Sequence, residues 1–93
     1  MEETISFKTG TSHTISLGSN PTTGYNWYIT LSPGLELVDE DFVIKNRAVG
    51  ASGTKKFIIT AYEPGTYYVV LMNMRSWEPY NMCNAKRYTV KVR

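Results

Sequence analysis

Apolar and polar residues alternate with a period of two along almost the whole chain, a pattern that belongs to strands whose two faces meet different surroundings. Ile5 and Phe7 share one face, while Thr4, Ser6 and Lys8 take the other. Ile15 and Leu17 repeat the pattern after the turn-like Thr9-Gly10-Thr11-Ser12. Tyr25, Trp27, Ile29 and Leu31 alternate with Asn26, Tyr28 and Thr30 until Ser32-Pro33-Gly34 stops the run. Leu35–Leu37 and Phe42–Ile44 read as two short strands around an acidic turn, Asp39-Glu40-Asp41. Phe57, Ile59 and Ala61 alternate next, and Glu63-Pro64-Gly65-Thr66 turns the chain into Tyr67–Met72. In the last strand Tyr88, Val90 and Val92 face inward, and Arg87, Thr89, Lys91 and Arg93 face outward. No stretch keeps helical spacing for the length an independent helix needs.

Ninety-three residues make one small domain, residues 1–93, with no room for a second core. With 42% hydrophobic and 13% aromatic residues the chain can fill that core, and a charged fraction of 19% is too low for a solvating segment. Frequent turns between short strands predict an all-β fold, an immunoglobulin-like antiparallel β-sandwich of seven to eight strands.

A formal charge of +2 is a weak bias, and its tight basic groups are only the pairs Lys55-Lys56 and Lys86-Arg87. That is far short of a phosphate-tracking stripe, so nucleic acid is not an expected partner. The longest apolar run, Tyr67–Met72, is too short to span a bilayer, so no membrane is expected either. One cysteine, Cys83, allows no intramolecular disulfide and calls for no oxidising compartment. The acidic start Met1-Glu2-Glu3-Thr4 is the reverse of a signal peptide's basic and apolar one. A cytoplasmic protein, monomeric when free, is the expectation; a mature secreted or vesicular form lacking its leader would read the same.

Three connections are chemically odder than a hairpin needs. In the first, Pro21 fixes its own φ and extends Asn20, Thr22 and Thr23 offer hydroxyls, and Gly24 supplies a φ most residues avoid. Such a loop is stiff and outward-pointing. The second, residues 47–53, contains Gly50-Ala51-Ser52-Gly53, whose small side chains let a backbone approach another surface closely. It is not a phosphate loop, because Gly53-Thr54-Lys55 has the wrong order and no helix follows. The third is Arg75-Ser76-Trp77-Glu78-Pro79-Tyr80, with the residue types that dominate interface energetics. Each has a plain structural reading: a proline turn, a flexible hairpin loop, and a tryptophan folded back onto its own core. In an alternating sandwich, however, the three fall at one end and form one surface.

In these segments the chain resembles the chagasin-type inhibitors of cysteine peptidases, and it does so over nearly its whole length. The family's Asn-Pro-Thr-Thr-Gly-aromatic motif is met in full by Asn20-Pro21-Thr22-Thr23-Gly24-Tyr25, and its Gly-x-x-Gly motif by Gly50-Ala51-Ser52-Gly53. The Arg-Pro-Trp motif is met by Arg75-Ser76-Trp77, with serine in place of the usual proline. The resemblance implies reversible, tight, competitive inhibition of papain-like (cathepsin-type) cysteine peptidases, with loops 20–25, 47–53 and 75–80 in the catalytic cleft. It places Thr22 against the catalytic cysteine and histidine, runs the glycine loop along the substrate side by backbone contacts, and docks Arg75 and Trp77 on the other side. A stiff wedge fits this role: its hydroxyl and amides can meet a thiolate–imidazolium pair without presenting a peptide carbonyl for attack.

Two rival readings remain on the sequence. A Cys–His enzyme would have to use His13 and Cys83, and no local signature supports them, so an enzyme is not expected. With one histidine and one cysteine there is no four-ligand metal cluster, and neither metal nor cofactor is expected. A non-inhibitory immunoglobulin-like binding module would explain the strands but not the conjunction of loop motifs. If the missing proline leaves the third loop less preorganised, Ser76→Pro strengthens inhibition by about 0.5–1 kcal/mol. Comparing inhibition constants of the two forms checks this; no gain would mean the loop is already held.

Overall fold

The inward positions of the alternation are the core. Ile5, Phe7, Ile15, Leu17, Phe57, Ile59, Ala61, Tyr88, Val90 and Val92 are all buried, joined by Trp27, Leu35, Val69 and Leu71. The structure is a computed structural model that describes residues 2–19, 24–44, 53–75, 77 and 84–93. These residues form seven strands: β1 (Glu2–Phe7), β2 (Ser12–Ser19), β3 (Asn26–Leu31), β4 (Leu35–Ile44), β5 (Gly53–Ala61), β6 (Gly65–Met74) and β7 (Asn84–Val92). They make two sheets, one ordered β1-β7-β6-β3 and the other β2-β5-β4. All neighbours are antiparallel except β1, which runs parallel to β7. The side chains that close the space between the sheets come from alternate positions of both, as in any two-layer sandwich.

One expectation is corrected. Asp39-Glu40-Asp41 is not a turn between two short strands but the middle of the ten-residue strand β4. Leu37 pairs with Ile59 and Asp39 with the next residue, Ile58, so Val38 is the extra residue of a bulge. The acids are tolerated there because β4 is an edge strand whose side chains reach water, and charge on an edge also discourages pairing with other chains. Glu40 is further held by an ion pair with Lys55 Nζ at 2.8 Å.

Strand register decides where the connections go. On one sheet Ser19, at the end of β2, and Ile44, at the end of β4, both lie opposite Gly53, the first residue of β5. On the other, Asn26 at the start of β3 lies opposite Met74 at the end of β6, and Asn73 lies opposite Asn84 at the start of β7. At this end the β4–β5 and β6–β7 connections each join neighbouring strands of one sheet, and the β2–β3 connection crosses from one sheet to the other. The two sheets are tied at this end by the Trp27 indole, which donates from Nε1 to the Gly18 carbonyl at 2.8 Å.

That bond reaches from β3 to β2, across the sandwich. Trp27→Phe keeps most of the packing but removes this bond, and because Gly18 is exposed water can reach its carbonyl, so the cost is about 0.5–1.5 kcal/mol. Denaturant unfolding of the two proteins measures it. A change within error would mean that water replaces the indole without loss.

Candidate functional site

The end that carries the three connections is built outward from the β3–β6 pair. Tyr25 and Arg75 lie one residue beyond Asn26 and Met74, so the ladder delivers them side by side. The Arg75 guanidinium carbon sits 4.5 Å from the centre of the Tyr25 ring and 6.0 Å from that of Trp77. At the first distance a guanidinium is attracted by the negative face of the ring, and such contacts are worth about 0.5–1 kcal/mol at exposed sites. The first and third connections thus meet through side chains.

Gly24 makes the contact closer. Its φ of +86° is a left-handed conformation, and a Cβ built there would lie 2.9 Å from Trp77 Cη2 and 3.5 Å from Arg75 Nε. The absent side chain is the space into which the Trp77 ring edge fits. Trp77 itself is 64% exposed, so the alternative in which it folds back onto the core does not hold. A large aromatic ring left in water beside an arginine is a contact surface in search of a partner.

Gly53 has a different use. It is buried as the first residue of β5, and a Cβ on it would run into the Val43 backbone carbonyl. Its missing side chain first serves the close pairing of β5 with β4. Next to it Val43 and Ile44 leave the end of β4 exposed, an apolar flank that the motif reading passed over. Its only signal in the sequence was apolar residues running to the edge of the glycine segment.

Of the expected site residues, the structure brings together Gly24, Tyr25, Arg75 and Trp77 and places Gly53 at the same end of its own sheet. Asn20, Pro21, Thr22, Thr23, Gly50, Ala51, Ser52 and Ser76 lie outside the described residues, as do 45–49 and 78–83. His13 sits near the start of β2, at the opposite end of that strand from the connections, with its ring stacked 6.0 Å from that of Phe7. Cys83 lies outside the described residues.

Gly24→Ala combines an unfavourable φ with a collision against Trp77. The expected cost is about 1–2 kcal/mol from the backbone alone, together with displacement of the indole. Thermal unfolding reads the first and the Trp77 fluorescence the second. An alanine variant with unaltered stability and spectrum would show that Trp77 does not rest on Gly24.

The comparisons with known proteins point one way. The family described as Chagasin family peptidase inhibitor I42 matches residues 6–92. Amoebiasin-1 of Entamoeba histolytica is 34% identical over 92 residues, covering 96% of this chain and 87% of its own. Chagasin of Trypanosoma cruzi is 33% identical over 86 residues, covering 85% of this chain and 77% of its own. Among solved structures, the cysteine protease inhibitor EhICP2 from Entamoeba histolytica superposes with a TM-score of 0.87 at 23% identity, covering 99% of this chain and 87% of its own, which shows a shared fold. With the family matched across residues 6–92 and two relatives above 30% identity, the chain belongs to the chagasin family of peptidase inhibitors.

Proposed function

We propose that this protein blocks papain-like cysteine peptidases by setting the β2–β3, β4–β5 and β6–β7 end of its sandwich across the catalytic cleft. That it is an inhibitor of cysteine peptidases and not an enzyme follows from its family. The loop assignment is supported above all by one observation: Gly24 and Tyr25 of the first connection are packed against Arg75 and an exposed Trp77 of the third.

On this reading the first connection is the wedge. Thr22 at its tip sits against the catalytic thiolate–imidazolium pair, where a hydroxyl can accept or donate a hydrogen bond. Pro21 and the left-handed Gly24 limit the freedom the loop has to lose on docking. Residues 50–53 run along the substrate side, and Trp77 covers the other wall. Interfaces of ordinary size, about 1,200–2,000 Å² in total, reach nanomolar affinity when the contacting loops are preorganised in this way.

Titrating papain with the protein tests the reading. Activity falls competitively and the inhibitor is recovered intact. Thr22→Ala and Trp77→Ala each weaken inhibition by about tenfold or more, and the Trp77 variant stays folded because Trp77 is outside the core. Absence of inhibition at micromolar concentration across several papain-like peptidases would sink the proposal and leave a binding module of another kind.

A further inference from the structure

We infer that Arg75 is a positioning residue: its guanidinium fastens the β6–β7 connection to the β2–β3 connection and so sets where Trp77 stands. Its consequence for binding rests on the inhibitory reading above, but the contact itself is a property of the free protein.

The argument starts from the backbone. Arg75 follows the last residue of β6, and Tyr25 precedes the first residue of β3, in strands that pair directly. Neither side chain has to search for the other. The guanidinium lies over the Tyr25 ring at 4.5 Å, the distance of a stacked cation, with Trp77 at 6.0 Å, the outer limit for such an attraction. From the other side Gly24 receives both residues: the Trp77 ring edge and Arg75 Nε come within 2.9 and 3.5 Å of where a Cβ would stand. Trp77 is thus exposed over most of its surface and held along one edge.

The chain has Ser76 between these two residues, where the family pattern has proline. A proline would stiffen the loop from within by fixing a backbone dihedral. The Tyr25–Arg75–Trp77 contact stiffens it from outside, through a neighbouring strand. Lysine is a poorer fit than Arg75 here, because its ammonium is a compact, strongly hydrated point charge, whereas a guanidinium is weakly hydrated and rests readily on an aromatic ring.

The test has two arms, one without a peptidase. In the free protein, the ¹⁵N heteronuclear NOE of the Trp77 indole N–H is compared with that of Trp27, which is buried and hydrogen-bonded and serves as the rigid reference. The expected values are similar in the wild type, and the Trp77 value falls in Arg75→Lys and in Tyr25→Leu. A mobile Trp77 indole in the wild type, or one unchanged in both variants, would overturn the inference. In the second arm, inhibition constants for papain are measured for Arg75→Lys, Tyr25→Leu and the double variant. If Arg75 acts through Tyr25, each single change costs about tenfold and the double change about the same. Single effects that multiply, to about a hundredfold, would mean that Arg75 meets the peptidase on its own account, and would equally overturn the inference. If the wild type does not inhibit papain, the inhibitory reading fails for that enzyme and the NOE comparison alone decides the role of Arg75.

Discussion

The indole N–H of Trp27, donated to the Gly18 carbonyl, is the bond that ties the two sheets together at the end carrying the β2–β3, β4–β5 and β6–β7 connections. It runs from β3 in one sheet to β2 in the other, just below the connection that joins them. A sandwich held by apolar packing alone is non-directional, since burial rewards area and not orientation. A hydrogen bond is directional, and an indole N–H on a buried ring is expensive to leave unmet. Trp27 supplies both: a ring buried among the core residues and a polar atom that finds its partner on the facing sheet.

Above that bond, the fold hands off from packing to presentation. The β3–β6 ladder ends at Asn26 and Met74, and the next residue on each side, Tyr25 and Arg75, stands at the end we propose for binding. Glycines mark the handover in two ways. Gly53 lets β5 and β4 lie close enough to pair, which is a demand of the domain. Gly24 leaves room for Trp77, which is a demand of the loops. The exposed ring of Trp77, with Val43 and Ile44 at the end of β4, is apolar surface that an isolated sandwich does not need. A partner that covers it accounts for its presence.

The strands and their inward faces were legible in the sequence because the side-chain period of a strand is two, and a slip by one residue would turn the core outward. The buried apolar residues of β2, β5 and β7 could be named this way, from Ile15 to Val92. The failure at β4 has the same origin. The bulge at Val38 puts two residues opposite one, so the period breaks and the acids that follow look like a turn. The edge position that makes those acids harmless is a fact about neighbours, which local sequence does not carry. The loop motifs were legible as chemistry, by their glycines, proline and exposed aromatic, but not as contacts.

The sequence by itself determined that the chain is all-β, which residues face inward, and, through three motifs in order, the family of inhibitors to which it belongs. Those properties are written residue by residue, in periodicity and in side-chain type. Only the tertiary structure decided that Trp77 stays in water, that Gly24 makes room for its edge, and that Arg75 lies on Tyr25. Tyr25 and Arg75 are fifty positions apart in the chain, and what brings them together is the register of β3 against β6. Register is settled by the burial of whole strand faces at once, and so it appears only when the sheets have closed on each other.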